Sequence, residues 1–189
     1  MKKTIVTGLA LSTALLLGAC GNEQDKEANH NDMQSEMQED SHEGMVHSSD
    51  GDLPDGIKKA ANPKFEVGST AIMSSKHMKG MDGAEATIAG AFDTTVYAVS
   101  FTPTDGGKKV TNHKWVVQEE LTPVPSSPLK KGDTTTIEAD HMTGMKGAEA
   151  TIDSAKQTTV YMVDFKPTTG GDTVKNHKWV TEDELQANE

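Results

Sequence analysis

The chain repeats itself at a constant spacing of 64 residues, and this repetition constrains the fold more than any other feature of the sequence. Residues 65–121 align with residues 129–185 without a gap, and 31 of the 57 aligned pairs are identical. A chain with this kind of self-similarity is built from copies of one structural unit. We therefore predict two copies of one small domain, over 65–121 and 129–185, joined by a proline-rich linker over 122–128.

The residue pattern within each copy predicts β-strands. In residues 84–88 and 96–101 apolar side chains recur at every second position, which is the period of a strand. Gly106-Gly107 predicts a turn between the second of these strands and another that begins near Val110. No stretch has a sustained helical period. The expected fold is therefore all-β, with two tandem small SH3-like β-barrels.

The first twenty residues have the features of a lipoprotein signal. Lys2 and Lys3 precede an apolar stretch from Ile5 to Leu17, and two small residues then lead to Cys20, the only cysteine of the chain. The stretch is short for a transmembrane helix and ends on cysteine rather than on an A-x-A pattern. We predict a signal peptide over 1–19, acylation of Cys20 by palmitate or a similar chain, and anchoring to the extracellular face of the cell membrane.

Residues 20–64 are predicted to be a disordered tether. From residue 21 onward this stretch holds eleven Asp and Glu residues and no aromatic residue, so it has too little apolar surface to fold. It also carries histidines and methionines among the carboxylates. These are candidate accessory metal ligands, namely His30, Met33, Met37, His42, Met45 and His47.

Each copy contains two short motifs with metal-binding side chains. The motif His-Met-x-Gly-Met begins at His77 and again at His141, and Asn-His-Lys-Trp places a second histidine in each copy. Glycines in the first motif favour a tight turn, and a histidine two residues before a tryptophan is expected beside it on one strand face. The candidate ligands are His77, Met78, Met81, His113, His141, Met142, Met145 and His177, with Trp115 and Trp179 as aromatic caps.

Imidazole together with thioether is ligand chemistry that suits copper. Thioether sulfur is soft and favours Cu(I), while imidazole binds copper in either oxidation state, so Cu(I) is favoured over Cu(II). The structural alternative is that the methionines fill cores, the histidines pack against tryptophan and the tail is a solvated spacer. Recurrence of the His and Met positions, where neighbours such as Lys79 and Thr143 differ, favours metal binding. Glu85 and Glu149 also recur, and are expected either to orient an imidazole or to face solvent.

The charge of the chain argues against nucleic acid as a partner. The formal net charge is −11 and the sequence contains no arginine, whereas phosphate recognition requires a basic face. The sequence also lacks a paired acid and base or a nucleophile with a neighbouring base, so we do not expect an enzyme.

The strings HM-x-GM-x-GAEATI, TTVY and NHKWV-x-x-x-EL resemble the YdhK family of Gram-positive lipoproteins, which includes the extracellular copper-binding lipoprotein CopL of staphylococci. The resemblance covers residues 65–185 and the cysteine that follows the signal peptide. It implies copper binding at the cell surface and protection from copper toxicity, with a copper exporter or a multicopper oxidase as a partner.

The leading hypothesis is a non-enzymatic lipoprotein that sequesters Cu(I) outside the cell. One alternative is a surface interaction module that binds cell-wall or protein ligands through a tryptophan and tyrosine platform. Another is a copper chaperone that delivers the metal to a partner protein. Copper-independent binding of a partner indicates the first alternative, and measured transfer of copper indicates the second.

Overall fold

The computed structural model describes residues 50–188, and this range consists of β-strands with two short 3-10 turns, at Gln118–Glu120 and Glu182–Glu184. The expected all-β class is thereby confirmed. In this range we find no helix with the length and apolarity needed to cross a membrane. The strands are β1 (Lys58–Lys59), β2 (Thr70–Met73), β3 (Glu85–Phe101), β4 (Val110–Val117), β5 (Leu121–Thr122), β6 (Thr134–Ile137), β7 (Glu149–Phe165), β8 (Val174–Thr181) and β9 (Leu185–Ala187).

Strands β3 and β7 are unusually long, with 17 residues each. Strand β3 takes in both of the short strands expected over 84–88 and 96–101. The residues between them contain no Asn-Gly or similar turn pair, and β-branched Thr94 and Thr95 favour extended backbone. The two long strands pair antiparallel, and Thr94 lies opposite Thr158, its own counterpart in the other repeat. The repeats are therefore related by a local two-fold axis at this pair.

The antiparallel pairing of β3 and β7 creates two lobes. Lobe 1 contains β2, the first half of β3, the second half of β7, β8 and β9, in the spatial order β8-β7-β3-β2-β9. Lobe 2 is its equivalent, in the order β4-β3-β7-β6-β5. Each lobe thus has the five strands of the expected small SH3-like barrel, with a 3-10 turn before the last strand.

Each lobe takes two of its five strands from one sequence repeat and three from the other, so the lobes differ from the expected pair of self-contained domains over 65–121 and 129–185. The core of lobe 1 combines Met81 and Ile88 of the first repeat with Tyr161 and Phe165 of the second. The core of lobe 2 combines Tyr97 and Phe101 with Met145 and Ile152. The physical reason is that β3 continues straight where a self-contained barrel would need a hairpin turn.

A third apolar cluster lies away from the two lobe cores and joins residues of both repeats. It contains both tryptophans, and Phe92 packs edge-on against Trp179 with ring centroids 5.6 Å apart. Gly90 leaves room for the Phe92 ring, because a Cβ at that position would lie 2.7 Å from it. The members of the cluster are Phe92, Val96, Ala98, Trp115, Val117, Val160, Met162 and Trp179.

The tail was expected to be disordered as far as residue 64, but residues 50–64 belong to the folded part. Strand β1 pairs with β3 at Asp93 and Phe92, and Ile57 packs against the third cluster. Lys178 Nζ lies 3.0 Å from Asp50 Oδ1. This segment is ordered despite its polar composition because the long strand β3 offers it backbone partners.

Candidate functional site

The His-Met-x-Gly-Met motif forms a tight turn in both repeats, as expected. In the first repeat Met81 N donates to Met78 O at 3.2 Å, and Gly80 has a φ of +84°. Thr168 N of the other repeat donates to Gly80 O at 2.9 Å. A Cβ at residue 80 would lie 2.8 Å from Pro167 Cβ, so glycine is required both by the backbone and by this close contact. The turn at Gly144 packs in the same way against Pro103.

His77 forms a short hydrogen bond with Glu184 of the second repeat. The distance from His77 Nε2 to Glu184 Oε1 is 2.6 Å, and the side chains are 8% and 15% exposed. Glu184 Oε2 accepts hydrogen bonds from Trp115 Nε1 at 2.9 Å and from the backbone N and the hydroxyl of Thr181. Trp115 also packs edge-on against His77, with ring centroids 5.9 Å apart.

The environment of Glu184 stabilises its ionised form. Burial by itself raises the pKa of this carboxyl, but hydrogen bonds from His77, Thr181 and Trp115 and the charge of protonated His77 outweigh burial and lower the pKa to about 2. Glu184 is therefore a carboxylate acceptor at any ordinary pH.

The same arrangement recurs in lobe 2, with the repeats exchanged. His141 Nε2 lies 2.6 Å from Glu120 Oε1 of the first repeat, and both side chains are buried. Glu120 Oε2 accepts from Trp179 Nε1 at 3.1 Å and from Val117 N at 3.0 Å. Each site therefore takes its histidine and tryptophan from one repeat and its carboxylate from the other.

The second histidine of each repeat lies in the opposite lobe from the His-Met turn of that repeat. His113 packs against Phe101 in the lobe 2 core, and its ring centroid is 6.5 Å from that of His141. His177 packs against Phe165 in the lobe 1 core. The candidate ligands are therefore grouped across the repeats, as His77, Met78, Met81 and His177 in lobe 1 and as His141, Met142, Met145 and His113 in lobe 2.

The expectation that each of these second histidines lies beside its own tryptophan on one strand face was wrong. His113 contacts Phe101 of the lobe 2 core, whereas Trp115 belongs to the third cluster. The reason is a register shift in the β3–β4 pairing between Tyr97 and Val99, which interrupts the two-residue alternation. The tryptophans lie instead at the histidines of the His-Met turns, where they donate to the carboxylates.

The methionines of the turns are mostly buried. Met81 and Met145 are 0% exposed, Met142 is 4% exposed and Met78 packs against the lobe 1 core. Two other buried methionines, Met73 and Met162, correspond to Ile137 and Ala98 in the other repeat, so they do not recur. Recurrence thus separates the motif methionines from those that only fill the core.

The Nδ1 atoms of His77 and His141 are buried and have no hydrogen-bond partner among residues 50–188. The opposite ring nitrogen of each is held by a glutamate, so the unpartnered atom has a defined orientation. In the same range no three His, Cys, Asp or Glu side chains group together as a metal site. The unpartnered imidazole nitrogens and the buried methionines of the same turns form the candidate ligand set.

Other predicted residues lie elsewhere. Cys20 and the accessory candidates of the tail, His30 to His47, lie outside the described residues. Glu85 is exposed and accepts a hydrogen bond from Asn188, and Glu149 is also exposed, so the solvent-facing expectation fits both. The carboxylates at the histidines are Glu120 and Glu184, which we did not single out although they recur within the W-V-x-x-x-E-L string.

Comparison with known proteins finds the same repeats. A family model described as "Protein of unknown function (DUF1541)" matches residues 67–118 and 131–182. The uncharacterized protein YdhK of Bacillus subtilis strain 168 is 54% identical over 179 residues, which are 95% of this chain and 86% of that protein.

Solved structures of the Bacillus subtilis protein are similar to the present one. A crystal structure of YdhK, described as a DUF1541 family protein, has a TM-score of 0.71 at 59% identity, covering 72% of this chain and 93% of that one. A solution NMR structure of the YdhK C-terminal domain has a TM-score of 0.63 at 60% identity, covering 66% and 94%. The repeats, their spacing and the shared architecture together show that this chain belongs to the DUF1541 family.

Proposed function

We propose that this protein is a membrane-anchored extracellular lipoprotein that binds and sequesters Cu(I) and so protects the cell against copper. The observation that carries the proposal is the pair of buried histidines in the His-Met turns. Each has one ring nitrogen held by a glutamate and the other without a partner among residues 50–188, and Met81 and Met145 of the same turns are buried in the lobe cores.

The methionine pattern supports a role beyond packing. Core positions accept apolar residues of similar volume, and this freedom is illustrated by Met73, whose equivalent in the second repeat is Ile137. Met81 and Met145 are equally buried, yet both positions hold methionine. A requirement for thioether sulfur explains this recurrence, and sulfur with imidazole is a donor set that favours Cu(I).

Negative charge at the surface supports capture of a cation. A cleft of about 440 Å³ adjoins His141 and Glu120, and six further acidic residues line it beside Lys146 and Lys178. A cleft lined by one sign of charge raises the local concentration of the opposite ion. The acidic lining residues other than Glu120 are Asp50, Asp52, Asp55, Glu119, Glu138 and Asp140.

The direct test is competition for Cu(I) between a chromogenic chelator and the chain from residue 21 onward. The double variant Met81→Leu with Met145→Leu removes both thioethers and nearly preserves core volume, at a cost below about 1.5 kcal/mol per site. We expect copper affinity to fall by at least about 10-fold, since even residues that only support a ligand have effects of that size.

The matched control is Met73→Leu, which changes a methionine that is 1% exposed in the lobe 1 core but does not recur. It should bind copper as the unaltered chain does. Equal affinity of the double variant and the control would refute the proposed sites. A shorter chain that begins at residue 50 separates binding by the lobes from binding by the tail.

The structure gives less support to the interaction-module alternative. That alternative requires an exposed aromatic platform, but both tyrosines are 0% exposed, Trp179 is 0% exposed and Trp115 is 9% exposed.

Anchoring is tested separately by incorporation of labelled palmitate, which Cys20→Ser should abolish. Copper transfer from the loaded chain to an exporter or oxidase would indicate delivery rather than sequestration.

A further inference from the structure

The two glutamates at the turn histidines are surrounded by hydrogen-bond donors. Glu184 Oε2 accepts from Trp115 Nε1 and Thr181 N at 2.9 and 3.0 Å, and it also lies 2.9 Å from the Thr181 hydroxyl, whose single proton has Asp183 Oδ1 as a second acceptor. The other carboxylate oxygen of Glu184, Oε1, lies 2.6 Å from His77 Nε2. A carboxylate only accepts hydrogen bonds, so the proton of neutral His77 is on Nε2 and the lone pair is on Nδ1.

We propose that Glu184 and Glu120 are positioning residues that hold His77 and His141 in the Nε2–H tautomer and so present Nδ1 to the metal. This inference rests on the proposed copper binding. Histidines that bind metals commonly donate their other ring N–H to a carboxylate, which fixes both the tautomer and the ring orientation. Nδ1 is also the ring nitrogen that has no partner in the described part of the chain.

Each glutamate comes from the repeat that does not contain its histidine. Glu184 belongs to the second repeat and forms a hydrogen bond with His77 of the first repeat, 107 residues away. Glu120 belongs to the first repeat and serves His141 of the second. Neither repeat therefore contains a complete site, and the exchange of strands between lobes is what assembles both.

The substitution Glu184→Gln makes a sharp test because it changes the chemistry at one oxygen. Trp115 Nε1 and Thr181 N can only donate, so they will select the carbonyl oxygen of the glutamine at the Oε2 position, and its NH₂ group then faces His77. An NH₂ group donates, so Nε2 of His77 must then accept. We expect the proton to move to Nδ1, the nitrogen that the unaltered chain offers to the metal.

The experiment has two readouts, on the chain from residue 21 onward. Long-range proton–nitrogen NMR correlation in the copper-free protein, at a pH where histidine is neutral, reports the tautomer of His77. We expect Nε2–H in the unaltered chain and Nδ1–H in Glu184→Gln. Cu(I) competition should show one of two sites weakened about 10- to 100-fold in the variant, with the site of lobe 2 as internal reference.

The matched control is Glu85→Gln, a recurring but exposed glutamate away from the histidine, which should leave tautomer and affinity unchanged. An Nδ1–H tautomer in the unaltered chain would overturn the inference without any variant. If Glu184→Gln binds copper as tightly as the unaltered chain does, the positioning role is overturned, while the proposed copper binding is not affected. Failure of the unaltered chain to bind Cu(I) would overturn both the proposed function and this role.

Discussion

Single residues of this protein have roles that depend on partners far away in the sequence. His77 and Glu184 are separated by 107 residues and meet at 2.6 Å in a largely buried environment. The sequence alone showed that His77, Met81 and Glu184 have counterparts 64 residues away. It gave no indication that the histidine of one repeat would be held by the glutamate of the other.

Copper-free protein should lose stability as the pH falls from about 4.5 to about 2. The pKa of Glu184 is lowered from 4.5 to about 2 in the folded protein, so its ionised form stabilises the fold. This contribution is complete above the ordinary pKa and is lost as the carboxylate is protonated on the way down to the lowered one. It amounts to at most about 3.5 kcal/mol, taking about 1.4 kcal/mol for each pKa unit.

Urea unfolding at a series of pH values measures this contribution. Glu184→Gln should be less stable than the unaltered chain at neutral pH, because a neutral amide oxygen accepts weaker hydrogen bonds than a carboxylate and the proton moved to the buried Nδ1 of His77 has no acceptor among residues 50–188. It should also lose less stability between pH 4.5 and pH 2. Equal losses in the two proteins over that interval would show that other carboxylates cause the acid sensitivity.

At the scale of elements, the His-Met turn is held by a contact between the two repeats. Gly80 lies against Pro167 and Thr169 of the hairpin that joins β7 to β8, and Gly144 lies against Pro103 and Asp105 of the hairpin that joins β3 to β4. The sequence predicted the turn from its glycines. The need for glycine at residues 80 and 144 also comes from this packing, which only the tertiary structure shows.

Alanine substitutions at two glycines of this turn separate backbone strain from packing. Gly80 and Gly83 have φ values of +84° and +75°, but nothing lies within 4 Å of a Cβ at residue 83, whereas one at residue 80 meets Thr169 Oγ1 at 2.7 Å. Each variant should lose about 1–2 kcal/mol through the left-handed backbone. Gly80→Ala should lose a further 1–3 kcal/mol, roughly, through overpacking.

Unfolding midpoints in urea for the two variants test this expectation. Equal destabilisation of both would mean that the turn is not pressed against the opposite hairpin in solution. Gly83→Ala serves as the control, because it carries the same kind of strain without the contact.

At the scale of the whole molecule, the exchange of strands makes the two repeats depend on each other. Each lobe core takes residues from both repeats, and the long strands β3 and β7 pass through both lobes. The third cluster adds apolar contacts between the repeats, with Phe92, Trp115 and Trp179 among its members. We therefore expect one folding unit rather than two.

A chain that contains only residues 50–121 should not form a folded monomer. Its strands β2 and β3 would lack the partners that β9 and β7 supply. Since the repeats are related by a local two-fold axis, two copies of this fragment can complete each other and form a dimer of two lobes. Light scattering after gel filtration, combined with circular dichroism, distinguishes a folded dimer or an unfolded chain from a folded monomer, which would contradict the expectation.

The sequence by itself determined the all-β class, the presence of two repeats and the positions of the His-Met motifs, because local period and self-similarity are properties of neighbouring residues. It also predicted the strand that begins at Val110. Only the tertiary structure decided that residues 89–95 continue as strand, that residues 50–64 join the fold, and that the second histidines change lobes. Whether a strand turns back or runs on depends on the partners available along its whole length. The pairing of β3 with β7 supplies those partners, and no local pattern encodes it.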